Sequence, residues 1–268
     1  MIIDFHTHAF PPAIAPRTVE VLRAGAMRCS GIDIIPQTDA TAEGLRASMK
    51  RDGIDLSLVM PIATKPSQTE SINRYAKEIS GDGLLSFGSL HPLCDDPEGI
   101  LERLAEDGFI GIKLHPEFQN FFIDSPESLR ILKRAEQLGL LVLLHTGADI
   151  GMPPPVHCPP ERLRGILDHV SGKDIIAAHL GGFAQWDDVQ KHLIGTPFFM
   201  DTAVVAEFLD ASVAKDIITA HGTDRILMGS DSPWGGQKKA VDYIHGMGFD
   251  PQDEAKILGG NACRLLGL

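Results

Sequence analysis

The run Ile2-Ile3-Asp4-Phe5-His6-Thr7-His8, followed by Ala9, Phe10 and two prolines, sets two imidazoles one residue apart behind an apolar start. Histidine binds divalent metals and moves protons near neutral pH, so an HxH pair on an extended segment asks for metal or acid–base chemistry. Side chains alternate faces along a strand, which sends His6 and His8 the same way with Asp4 below them. Other short apolar runs also close on polar residues: His91, Lys113 with His115, His145, His179, Asp201 and Asp231. Six of the eleven histidines therefore fall at the ends of candidate strands, where a random scatter would put them on helices and loops. Imidazole nitrogens with a carboxylate oxygen are the donors that Zn²⁺ selects, at about 2.0–2.2 Å.

Gathering these groups requires a particular frame. The β-rich runs are 1–8, 56–61, 84–92, 109–116, 140–147, 175–182, 198–203 and 225–234, and helical spacing separates them, as in PEGILERLAEDG and PESLRILKRAEQLG. Near-continuous apolar strands alternating with helices indicate a parallel sheet covered by helices. Eight units of about 33 residues match the size of a βα repeat, so the expected fold is α/β, an eight-stranded (β/α)8 TIM barrel closed by a C-terminal helix. No GxGxxG or GxxxxGK[ST] motif follows the first strand, which argues against an open nucleotide-binding sheet. No composition shift or linker divides the chain, and residues 1–268 read as one domain. In such a barrel the carboxyl ends of the strands converge on one mouth, framed by loops. Residues 9–42, 61–70, 116–126, 147–160 and 232–239 are the loops expected to set specificity.

The formal net charge of −12 makes nucleic acid a poor partner. The longest apolar run, 138–144, is far below the roughly 18 residues of a membrane span. The four cysteines form neither a CxxC pair nor a dense disulfide framework, which fits a reducing, cytoplasmic setting.

In order along the chain, DFHTH, GIKLHP, LHTG, AHLGG, MGSDSPW and the terminal ILGGNACRLLGL together resemble the amidohydrolase superfamily. More narrowly, they resemble its amidohydrolase-related branch of metal-dependent TIM-barrel hydrolases and nonoxidative decarboxylases. The resemblance implies that His6, His8 and Asp231 bind a metal and that His145 completes a mononuclear site, with His179 beside the metal-bound water. In binuclear members a carboxylated lysine stands where Lys113 does, and His145 and His179 move to the second ion. An uncarboxylated Lys113 is equally well placed to bind a substrate carboxylate.

On this reading Asp231 and His179 are the catalytic groups, and Lys113, His115 and His91 are candidates for substrate binding. The cofactor is one or two divalent ions, zinc first and manganese second. The expected reaction is hydrolysis of an amide, ester or lactone-like bond in a small carboxylate-bearing substrate. Nonoxidative decarboxylation, or hydration, is the alternative. The superfamily's metal-dependent deoxyribonucleases rank below both, since they carry glutamate where this chain has Lys113. A homodimer is admitted, with oligomeric state otherwise open.

Plainer roles compete for several residues. His115 and His91 each precede a proline and could hold loop backbone, and Lys113 could pair with Asp201 or Asp4. His157 reads as a solvated loop residue, and His169, His192, His221 and His245 as surface residues of helices. Cys158 lacks a sequence-level base, and Asn261 reads as an anchor for the tail.

Overall fold

The computed structural model describes residues 1–268. Its strands are β1 (Ile3–Thr7), β2 (Leu56–Val59), β3 (Leu84–Ser86), β4 (Gly88–Ser89), β5 (Gly111–Leu114), β6 (Leu141–Leu144), β7 (Ile175–Ala177), β8 (Phe199–Asp201) and β9 (Ile226–Leu227). All pair in parallel, in the orders β1-β2-β3 and β4-β5-β6-β7-β8-β9. β3 and β4 are halves of one stave broken at Phe87, whose N–H still reaches Val59 O at 3.0 Å. The last stave meets the first through Phe5 N–H to Met228 O (2.8 Å), Asp231 N–H to His6 O (2.8 Å) and His8 N–H to Ser232 O (2.6 Å). Eight staves thus form the expected TIM barrel.

Strand residues bury both faces, which is why the runs read as continuously apolar. Ile3, Phe5, Leu58, Met60, Phe87, Leu143, Ile176 and Leu227 form one cluster with Ala262 of the last helix. Their neighbours Val59, Ile112, Leu114, Val142, Leu144 and Ile175 join the larger cluster under the helices. Helix boundaries follow local chemistry. Ser125 Oγ accepts from Ser128 N and caps Pro126–Leu138, which ends at left-handed Gly139. Pro160 starts its helix at the first position, where a missing N–H costs nothing.

Three features depart from expectation. Strict alternation fails in β1: its register against β2 shifts between Asp4 and Thr7. An irregularity of this kind lets neighbouring residues turn the same way. Phe5 belongs to the inner cluster and His6 lines the cavity, whereas Asp4 turns to Ser230 and Gln237. Asp4 is therefore not below the histidine pair and cannot pair with Lys113.

The first βα connection is not a continuous loop, because Ala15–Ser30 is a helix ending at left-handed Gly31. Its buried residues are small (Ala15, Gly25, Ala26), so it carries little of the apolar stripe that betrays a packed helix. The helical spacing of EFLDASVAKDIITAHG, residues 207–222, predicts one helix, whereas the structure has two, Val205–Phe208 and Ala211–His221, and Asp210 caps the second through Ser212 N.

Candidate metal centre and active site

The barrel mouth is a cavity of about 640 Å³ whose lining includes His6, His8, Lys113, His115, His145, His179 and Asp231. Each of four imidazoles has one nitrogen tied to a group that can only accept, which fixes where its proton lies. His6 Nδ1 faces Asp201 Oδ2 at 2.9 Å and His8 Nδ1 faces Met60 O at 2.8 Å. His179 Nδ1 faces Ala203 O at 2.9 Å, and His145 Nε2 faces Ala148 O at 3.1 Å. In the neutral rings the remaining nitrogens, Nε2 of His6, His8 and His179 and Nδ1 of His145, carry lone pairs.

Those lone pairs converge. Asp231 Oδ1 lies 3.5 Å from His6 Nε2 and 3.2 Å from His8 Nε2, and His179 Nε2 is 3.0 Å from His145 Nδ1. Bonds of about 2.1 Å at right to tetrahedral angles separate ligand atoms by roughly 3.0–3.4 Å, so His6, His8 and Asp231 are spaced to share an ion, and the His145–His179 pair in the same cavity is spaced alike. Two bare lone pairs at 3.0 Å repel unless a proton or cation lies between them, and this donor set fits a divalent metal. The outer partners are the second layer of hydrogen bonds that metal-binding histidines normally carry.

Electrostatics keep the donors available. Burial holds His6 and His145 well below the ordinary histidine value, neutral at pH 7. Burial raises the Asp231 carboxyl, but a hydrogen bond from His8 Nε2 and the charge of the facing imidazoles, both present only when those rings are protonated, more than offset it and hold the group below the usual carboxylate value. Lys113, 1% exposed, has Nζ 3.3 Å from His6 Nε2. Burial pushes its ammonium down to about 8, against the pull of Asp201, Asp231 and Asp149.

A second cluster, His115, His145 and Asp149, also brings donor atoms together, but its protons point the wrong way for a metal. His115 Nδ1 accepts from Phe118 N, leaving the hydrogen on Nε2, 3.6 Å from Asp149 Oδ2. His145 Nε2, committed to Ala148 O, is likewise a donor. The cluster therefore offers N–H groups beside a carboxylate that burial raises to about 6. His91 is not among the cavity-lining residues and its Nδ1 accepts from Leu93 N, the backbone-holding role.

Two histidines depart from a solvated reading. His157 is buried, its N–H and Nδ1 both bonded to buried Glu117 at 2.6 Å. His221 is buried with Nε2 against Phe198 O at 2.9 Å. Cys158 is fully buried, its thiol pushed up by desolvation. Asn261 donates to Thr223 O and Ile226 O, anchoring the last helix.

Sequence reasoning gave no role to Asp149 and did not foresee that Asp201 orients His6. Asp201 also accepts from His179 N and Ala203 N. Its place at a strand end was a usable signal; Asp149, in a loop, offered none.

A family model described as amidohydrolase matches residues 3–268. A search of curated proteins finds no match to the chain. Among solved structures, 5-carboxyvanillate decarboxylase from Sphingomonas paucimobilis is similar at 16% identity and a TM-score of 0.70, covering 100% of this chain and 99% of that one. The 5-carboxyvanillate decarboxylase of Novosphingobium aromaticivorans, complexed with manganese and 4-hydroxy-3-methoxy-5-nitrobenzoic acid, is similar at 15% identity and 0.68, covering 100% and 96%. A probable 2-pyrone-4,6-dicarboxylic acid hydrolase from Acinetobacter baumannii, with citric acid bound, is similar at 17% and 0.67, covering 100% and 99%. At these identities the likeness is one of fold.

Proposed function

This chain belongs to the amidohydrolase family, and on that premise we propose that it is a divalent-metal enzyme that removes CO₂ nonoxidatively from a small, apolar, carboxylate-bearing substrate. The observation that carries the reading is the His6–His8–Asp231 donor cluster, with the His145–His179 pair, in one cavity whose walls include Phe10, Ile62, Phe118, Phe183 and Trp234. Apolar walls with a few convergent polar groups suit a ring-sized ligand held by one charged end. The decarboxylases among the structural relatives support this reaction over hydrolysis as first choice. Function resides in the site and its loops, not in the barrel.

His6, His8, His145 and Asp231 would hold the ion, which when bound supplies Lewis acidity and positive charge. An imidazole-rich set with one carboxylate suits zinc, and manganese is the ion in one relative. Lys113 Nζ, from β5, and the His115 Nε2–H, from the residue that follows the strand, would be donors for the substrate's carboxylate. Cleavage of the carbon–carboxylate bond releases CO₂ and leaves its electron pair on the substrate carbon. Asp231, or His179, takes a proton from water and passes it to that carbon, so the solvent supplies the hydrogen that replaces CO₂. The four free cysteines keep a reducing, cytoplasmic setting as part of the reading.

Hydrolysis of an amide, ester or lactone-like bond is the second reading, and Lys113 favours it. An amine with a value near 8 is partly neutral at pH 7 and can take up CO₂. The resulting carbamate would stand where binuclear relatives bridge two ions.

Zinc- or manganese-loaded protein, incubated with hydroxylated benzoates and with pyrone dicarboxylate, separates the two. Release of CO₂ supports the first reading, and uptake of solvent ¹⁸O into product the second. Turnover should cease with a chelator and with Asp231→Asn. Activity that survives both treatments would remove the metal mechanism altogether.

A further inference from the structure

Asp4 faces away from the cavity, yet both of its carboxylate oxygens grip the residue that precedes Asp231. Its Oδ1 accepts from Ser230 N at 2.9 Å and its Oδ2 from Ser230 Oγ at 2.6 Å, with Gln237 Nε2 adding a third bond at 2.8 Å. Ser230 Oγ in turn accepts from Ser232 N at 3.0 Å, so Asp231 is bracketed on both sides. Asp231 itself has φ 64°, a left-handed conformation that a non-glycine residue keeps only when its surroundings impose it. Its N–H goes to His6 O at 2.8 Å, which ties the same turn to the HxH strand. Gln237 Nε2 also reaches Ser57 Oγ at 3.0 Å, bracing the carboxylate against the second stave.

We propose that Asp4 is a positioning residue: from the outer face of the barrel wall it clamps Ser230 and thereby aims the Asp231 carboxylate at the Nε2 atoms of His6 and His8. The inference rests on the reading of Asp231 as a metal ligand. The irregular register of β1 makes the arrangement feasible, because one short segment then sends Asp4 outward and His6 inward. A buried carboxylate with three strong donors is costly to install merely as filler, and it sits at the barrel seam that carries both halves of the metal cluster.

The test is calorimetric titration of metal-free protein with Mn²⁺ and Zn²⁺, alongside circular dichroism to establish folding. Asp4→Ala and Ser230→Ala should each fold and bind about 10- to 100-fold more weakly, the usual effect of losing an outer hydrogen-bond partner of a ligand. Asp4→Asn should recover most of the affinity, since its carbonyl can still accept from Ser230 N and its amide can donate to Gln237 Oε1, which has no partner in the native protein. Folded Asp4→Ala with wild-type affinity overturns the proposal, whatever its melting temperature. Should Asp4→Ala not fold, wild-type affinity in folded Asp4→Leu, which removes both acceptor atoms while filling the buried space, overturns it equally. Failure of the wild type to bind either ion would instead overturn the metal reading, and the clamp with it.

Discussion

His6 can serve a metal only while its proton stays on Nδ1, and Asp201 keeps it there. Asp201→Asn makes this testable at the scale of one atom. The new carbonyl must stay with the N–H groups of His179 and Ala203, held at 2.9 and 3.0 Å, so the amide NH₂ turns to His6. Nδ1 then has to accept, the proton moves to Nε2, and the ligand atom is blocked. We expect metal affinity to fall about 10- to 100-fold with the fold intact, measured by calorimetric titration. Unchanged affinity would mean that Asp201 does not set the tautomer. HxH, His145, His179 and Asp231 were legible in the sequence because each lies at a strand end, where position alone predicts convergence. Asp149 and the Glu117–His157 pair were not, since loop geometry brings them together and no periodicity records it.

The staves were legible as elements for a related reason: both faces are buried, so each is a short apolar block. β1 shows the limit, because alternation assumes an unbroken register and a single irregularity relocated Asp4. The helix Ala15–Ser30 escaped notice because it packs through Gly25 and Ala26, with Gly25 against the Gly151 backbone, in place of large apolar residues. His221 closes the helix Ala211–His221 from a buried position, and burial lowers its value below the ordinary 6.5. The unfolded chain therefore takes up a proton there more readily than the folded one. Its contribution is retained above about 6.5 and declines as the pH falls toward the folded value. His221→Gln should consequently lose less stability than the wild type between pH 7 and pH 5. Melting curves across that range check it, and parallel losses in the two proteins would show that His221 takes up its proton equally in the folded and unfolded states.

For the molecule as a whole, an ion held by three staves should act as a fastener of the ring. A ligand at about 100 times its dissociation constant adds roughly 2.7 kcal/mol to stability. In a chain of this size that corresponds to a rise in melting temperature of about 5–10 °C. Scanning calorimetry with and without Mn²⁺ or Zn²⁺, then with a chelator, measures it, and a melting point indifferent to all three treatments would speak against a metal at the mouth. No helix is long and apolar enough to cross a membrane. The roof of the cavity differs in kind from its floor. Val21, Leu22, Gly25, Ala26 and Arg28 come from the helix after β1, and Ile32 to Ile35 and Gln37 follow directly, so one contiguous stretch between Phe10 and Thr41 supplies much of the wall and none of the metal donors. Such a stretch is an exchangeable cassette: descendants of this chain could acquire new substrates by rewriting it alone while the chemistry beneath is inherited untouched.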